Sequence, residues 1–404
     1  MRLLYINFKI EYINPTIQVV DEMLHGCGEL LYYGPGYTRS DELAHGINNF
    51  VSKNGPFDFI ILNEQMVWNC FWFDYVNRAA SDVEKDLSAR YRHYAYRYFK
   101  GYHDLAAMIP DVYRYILENS VKKLFIFLAS DYYNWAEHQF SILRELTERG
   151  DTFILGWGKQ FVRPVNELPR LAMEDFARNA NDNWFSFVNQ YDSKIISMVH
   201  VLSPMEISVC KSVSQRKYSI FVPGANYYAR KLARKVLSLS KIRRPFDTGS
   251  FAYAFFDKIG IHPFSNRMFI RYYRWQFRYF LKNSKSVFTC GSGLQWAIRK
   301  YFEVPACGAV LLCIPCEGFD ELGFVHMKNC ICAEPDELPD YAVFLERHSS
   351  TADLIARAGQ ELIREKHTVP YRSKKTLECL DAIEKKEYSG SRWEKGSMLM
   401  RQIK

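Results

Sequence analysis

The chain predicts an α/β protein built from two doubly wound parallel sheets. Short β-rich apolar runs alternate with longer helical stretches, as in parallel sheets with helical crossovers. Its 404 residues exceed what one ordinary core accommodates and suit two domains. In the first half, strands are predicted at Leu3–Phe8, Leu30–Tyr33, Phe59–Leu62, Lys123–Leu128, Thr152–Leu155 and Ile196–Leu202. Helices are expected at Ile17–His25, Ser81–Tyr98, Tyr102–Asn119, Trp135–Thr147 and Pro169–Ala180. A second series follows Ser203, with strands at Lys217–Val222, Ser286–Thr289, Val310–Cys313 and Asn329–Ala333. Its helices are expected at Tyr228–Leu239, Ser350–Lys366 and Tyr371–Lys386. The expected division is a first domain over 1–205, a second over 206–386, and a tail over 387–404 that is weakly ordered or docks onto the first domain.

Composition narrows the function classes. Aromatic residues make up 16%, with 27 Tyr and 29 Phe, which suits stacking on ring-shaped ligands, contact with a lipid interface, or aromatic-rich cores. A net charge of +8 fits phosphorylated substrates or anionic membrane surfaces and is too small to imply nucleic acid. The start MRLLYINF is expected to be a buried strand and not an export signal. No run of about eighteen apolar residues exists to span a membrane. The ten cysteines are expected to be reduced, which places the chain in the cytoplasm.

The densest chemical signal is FTCGSGLQWAIRKYFEVPACGAVLLCIPCEGFDELGF, residues 288–324. A strand ends in the turn Gly291-Ser292-Gly293, and a helix through Trp296–Tyr301 should follow. Pro305 is tolerated in a first helical turn, which places a helix start close to Glu303. Free N–H groups at such a start, beside glycines, suit a diphosphate. A carboxylate there can accept both hydrogen bonds of a ribose diol; alternatively, Glu303 merely favours the helix dipole.

RKYFEVPACG, AVLLCIPCEGFDELGF, IARAGQELIREKHTVPYRSKKTLECL and IFVPGANYYARKLARKVL together resemble the CgeB-like group of GT-B glycosyltransferases over about a third of the chain. The resemblance implies the GT-B fold, two Rossmann-like domains facing across a cleft. It implies that Glu303 binds the donor ribose, with Gly224, Ser292 and Gly293 near phosphate or sugar. Arg230 and Lys231 become candidates to neutralise the diphosphate, or else solvate a helix face. Gln295 stands where related retaining enzymes carry a Glu, and Glu317, Gly318 and Phe319 follow in the next donor-side loop. Neither a cofactor nor a metal is expected, because helix dipoles and basic side chains serve the departing diphosphate.

The acceptor side is expected in the first half. Asp131, Glu64 and His138 are candidates for catalysis, with a helix cap as the other role for Asp131. Tyr132, Tyr133, Trp135, Tyr37 and Arg39 are candidates for acceptor contacts. Retaining and inverting chemistry both stay open. Two further signals compete. Cys313, Cys316, His326, Cys330 and Cys332 mimic zinc-ligand spacing, but CxC on a strand suits buried thiols better. RMFIRYYRWQFRYFLK places Arg267, Arg271, Arg274 and Arg278 on one helical face, either solvated or resting on an anionic membrane. Together these features predict transfer of a sugar from a nucleotide-sugar donor to a saccharide or lipid-linked glycan, as in bacterial-type surface polysaccharide synthesis. A sugar-nucleotide epimerase and a non-catalytic glycan-binding protein are the alternatives.

Overall fold

Runs such as Phe59–Asn63 are buried at every position, without polar alternation, because helices cover both faces of the sheet they form. The computed structural model describes residues 1–9, 16–91, 101–128, 131–168, 179–209, 211–260 and 266–403. All but the last two residues of the predicted helix Pro169–Ala180, and the end of Ser81–Tyr98, lie outside them. The first sheet holds β1 (Arg2–Ile6), β2 (Glu29–Tyr33), β3 (Phe59–Asn63), β4 (Lys122–Phe127), β5 (Thr152–Gly156) and β6 (Ile195–Ser197) in the order β2-β1-β3-β4-β5-β6. Every pairing is parallel. The second sheet holds β7 (Tyr218–Phe221), β8 (Ser284–Thr289), β9 (Val310–Cys313) and β10 (Ile331–Cys332) in the order β10-β9-β8-β7, again parallel.

Alternation within the second sheet divides its core. Phe221, Val287 and Leu311 join the apolar cluster that runs from the first domain, whereas Ile220, Phe288, Val310 and Leu312 face a separate cluster with Leu237, Leu338 and Ile355. The first domain is thereby packed continuously against one side of the second sheet.

Several boundaries moved for physical reasons. β6 stops at Ser197, whose N–H donates to the side-chain Oγ of Ser391 from the end of the chain. Residues 198–203 continue as a linker, and Leu202 exchanges backbone bonds with His367 and Val369. The helix expected from Trp296 begins only at Lys300, because Ser292 and Gln295 take positive φ (60° and 56°) and turn the intervening chain tightly. Pro305 sits near the end of that short helix, whose cap is closed by Gly308 at φ 68°.

The last helix, Val369–Glu384, was expected to belong to the second domain and lies against the first. Ser373 Oγ donates to Met23 O at 2.8 Å, and Lys122 pairs with Glu384. The tail folds as a hairpin, β11 (Tyr388–Glu394) with β12 (Ser397–Gln402), and docks on the first domain. Tyr388 Oη donates to Ile195 O, and Trp393 Nε1 to Ser197 O.

Candidate functional site

In a parallel sheet, the loops after neighbouring strands share one edge. Here the loops after β7, β8 and β9 meet at such an edge, opposite the loops after β4 and β5 of the first sheet. Trp296, from the β8 loop, stacks on Trp157 at 4.9 Å and lies 5.3 Å from Tyr133. Glu317, from the β9 loop, pairs with Arg163 across the junction at 2.8 Å. The two domains are thus in contact along one part of the cleft.

The β7 loop bends at Gly224, with φ +89°. A Cβ there would lie 2.7 Å from Arg230 Nη1 and 2.9 Å from both Cε and Nζ of Lys300. Glycine therefore leaves space for two cations to converge, one from the helix Tyr228–Ser238 and one from the helix Lys300–Ala306. The Arg230 guanidinium is buried over the Tyr227 ring at 4.3 Å. Its Nη1 donates to Pro223 O, while Nε and Nη2 have no hydrogen-bond partner among the described residues. Burial and the neighbouring Arg230 hold the Lys300 ammonium down at about 8. Arg234 braces the bend, donating to Val222 O and Gly224 O. Buried cationic donors without an anion are costly, and a negatively charged group seated beside them would offset that cost.

Glu303 lies one turn beyond Lys300. Its Oε1 accepts from Arg299 Nε at 2.9 Å, and its Oε2 is in no hydrogen bond among the described residues. Arg299 is itself buried and also donates to Val201 O and Glu206. Arg299 thus orients one carboxylate oxygen and ties it to the linker between the domains. His200, on that linker, is held near 3 by burial and by Arg299 and Lys300, so its imidazole is neutral.

The remaining expectations divide. Lys231 is exposed on the helix that presents Arg230 inward, so it does not join the cluster. Ser292 and Gly293 form the tight turn of the β8 loop, with Leu294 N donating to Ser292 Oγ. Gln295 O accepts from Glu317 N and joins the β8 and β9 loops. Gly318 approaches the Phe161 ring, and Phe319 is buried against Phe324, so the surroundings of both are interdomain and core packing. Tyr133 and Trp135 are also buried, the latter against Phe127, which removes both as stacking surfaces for an acceptor.

The side chains of Asp131 and Tyr132 lie outside the described residues. Glu64 accepts from Leu128 N at 3.0 Å beside the ends of β3 and β4. His138 is exposed, its ring 6.1 Å from Trp72. Tyr37 stacks on Tyr32 at 4.5 Å, while Arg39 forms a surface pair with Asp41. No group of three or more His, Cys, Asp or Glu among the described residues is placed to hold a metal ion. His326 Nδ1 is instead taken by Cys332 N–H. Sequence reasoning passed over Lys300 and Arg299; both stand inside RKYFEV, but Lys300 meets Gly224 and Arg299 meets Val201 and Glu206, all far away along the chain.

Two parallel α/β domains with their strand-end loops face to face define the GT-B fold. Residues 265–378 match the family model described as Glycosyl transferase-like, a little over a quarter of the chain. Among solved structures, the chain is similar to Anabaena HepE in complex with UDP and glucose, with a TM-score of 0.52 and 10% identity, covering 95% of this chain and 100% of that one. It is also similar to sucrose-phosphate synthase from Thermosynechococcus elongatus, with a TM-score of 0.50 and 8% identity over 96% and 100% of the two chains. No curated protein matches the chain in sequence.

Proposed function

We propose that this protein is a glycosyltransferase of the CgeB-like group that moves a sugar from a nucleotide-sugar donor to a saccharide or lipid-linked glycan. The observation that carries the reading is the pair of cations at Gly224. Among the described residues Arg230 Nε and Nη2 have no hydrogen-bond partner, and Lys300 stands beside that guanidinium. A nucleotide diphosphate has the charge and the acceptor oxygens to satisfy both. Glu303, with Oε2 open, takes the ribose diol in this reading. The UDP bound in the similar Anabaena protein supports a uridine nucleotide as the first donor to test.

As the bond from sugar to phosphate breaks, negative charge builds on the departing diphosphate. Arg230 and Lys300 stabilise that charge without a bound metal. Glu64, Asp131 and His138 remain the proposed groups for activating the acceptor hydroxyl if the reaction inverts. In this reading the protein acts in the cytoplasm.

The test is calorimetric titration with UDP, GDP, ADP and dTDP, followed by transfer assays with the sugar nucleotides of whichever binds. Arg230→Gln should weaken diphosphate binding about 10- to 150-fold, the range for losing a charged hydrogen-bond donor. Unchanged affinity in that variant overturns the reading.

A further inference from the structure

Residues 241–283 lie between β7 and β8 and hold nine basic and two acidic residues, a net +7 of the chain's +8. Within them the helix Arg267–Asn283 carries no acidic residue. Its inner face is apolar and satisfied: Ile270, Phe280 and Leu281 are buried, and Gln276 bonds Gly249 N and Thr248. The aromatics Phe269, Tyr273 and Phe277 are half-buried and Phe280 is buried on this side.

The outer face is not an ordinary solvated one. Met268, Tyr272, Trp275 and Tyr279 are exposed, Trp275 by 61% and Met268 by 79%. At 3.6 residues per turn they fall within about 60° of one another and form one ridge. Trp275 stacks on Tyr279 at 5.6 Å. Arg271, Arg278 and Lys282 run along one flank. The preceding helix, Thr248–Lys258, adds exposed Phe251 and Phe255. Bulky apolar side chains left in water at this density mark a contact surface.

We propose that this ridge seats the second domain on an anionic lipid bilayer. Charge complementarity selects that occupant. A second copy meeting the same patch about a twofold axis would set arginine against arginine. Tyr and Trp rest favourably at the headgroup level, with an apolar body and a polar edge, and the flanking basic residues answer anionic headgroups. Docking also positions the candidate donor site. Lys300 Nζ lies 5.7 Å from the Phe277 ring on the inner side of the same helix, so that site sits about one helix diameter from the lipid. The docking inference stands apart from the donor reading, since vesicle binding requires no nucleotide.

The test is co-sedimentation of the full chain with phosphatidylcholine vesicles, with and without phosphatidylglycerol. Binding is expected only with the anionic lipid and should fall with added salt. R271Q/K282Q should lower partitioning about 25-fold, at about fivefold per basic residue. W275S/Y279S should lose about tenfold or more, while W275F/Y279F, which keeps the rings, should bind like the wild type. Circular dichroism and UDP titration of each variant show that fold and donor site are intact. Wild-type protein that stays in solution with anionic vesicles at low salt overturns the proposal. So does wild-type partitioning by W275S/Y279S, or a dimer that this variant dissolves.

Discussion

Replacing Lys300 by Met separates what the ammonium does for a ligand from what it costs the fold. In the protein it is held at about 8 against an ordinary 10.5, chiefly by burial and secondarily by Arg230. The charged form is therefore disfavoured, by about 3 kcal/mol at pH 7 before partial solvation is allowed for. The sign follows directly. Because the folded pKa of this base is depressed, the penalty is full below pH 8. It fades as pH rises from about 8 to 10.5, so this group makes the ligand-free protein more stable across that window. Lys300→Met should remove the penalty and raise the thermal midpoint of the ligand-free protein near pH 7.

The same variant should weaken diphosphate binding about 10- to 150-fold, since a charged donor is lost. For the wild type, UDP affinity should be level below pH 8 and fall by up to tenfold per pH unit above it, as the ammonium deprotonates. Lys300→Arg keeps the charge at all these pH values and should flatten the profile. Calorimetric titration from pH 7 to pH 10 and thermal scans of all three proteins supply the data. A Lys300→Met protein that binds UDP like the wild type refutes the phosphate role. One that is destabilised refutes the claim that the buried charge is a burden on the free protein.

Two other perturbations bear on the site and the fold. Glu303→Ala should weaken UDP binding about tenfold while leaving inorganic pyrophosphate binding unchanged, because the carboxylate is assigned to the ribose; equal losses for both ligands in titration refute that assignment. Trp393→Ala should cost about 3–5 kcal/mol in urea unfolding, since the ring is buried, lies 3.9 Å from the Arg372 guanidinium and donates to Ser197 O. A loss under 1 kcal/mol would show that the terminal hairpin does not hold the first domain.

The strands were legible because fully buried parallel strands need continuous apolar runs, and Phe59–Asn63 and Val310–Cys313 are such runs. Glu303 could be named from the sequence because charge near an expected helix start has local consequences, whereas Gly224 and Arg230 entered through the resemblance to the CgeB-like group. Lys300 was legible in neither way. Its meaning is its approach to the Gly224 bend from a neighbouring strand-helix unit, a distance only packing defines.

Aromatic residues misled for the same reason. Tyr133, Trp135 and Phe319 have the same composition-level signature as Tyr272 and Trp275, yet the first three are sealed in cores and the last two are exposed. An aromatic side chain serves a core or a surface equally well by its own chemistry; the element that packs over it decides. Likewise, nothing local told the helix Val369–Glu384 to cross back to the first domain. By itself the sequence determined which segments bury both faces and where the chain must bend. Tertiary packing decided which cations converge and which rings meet water, because both depend on neighbours distant along the chain.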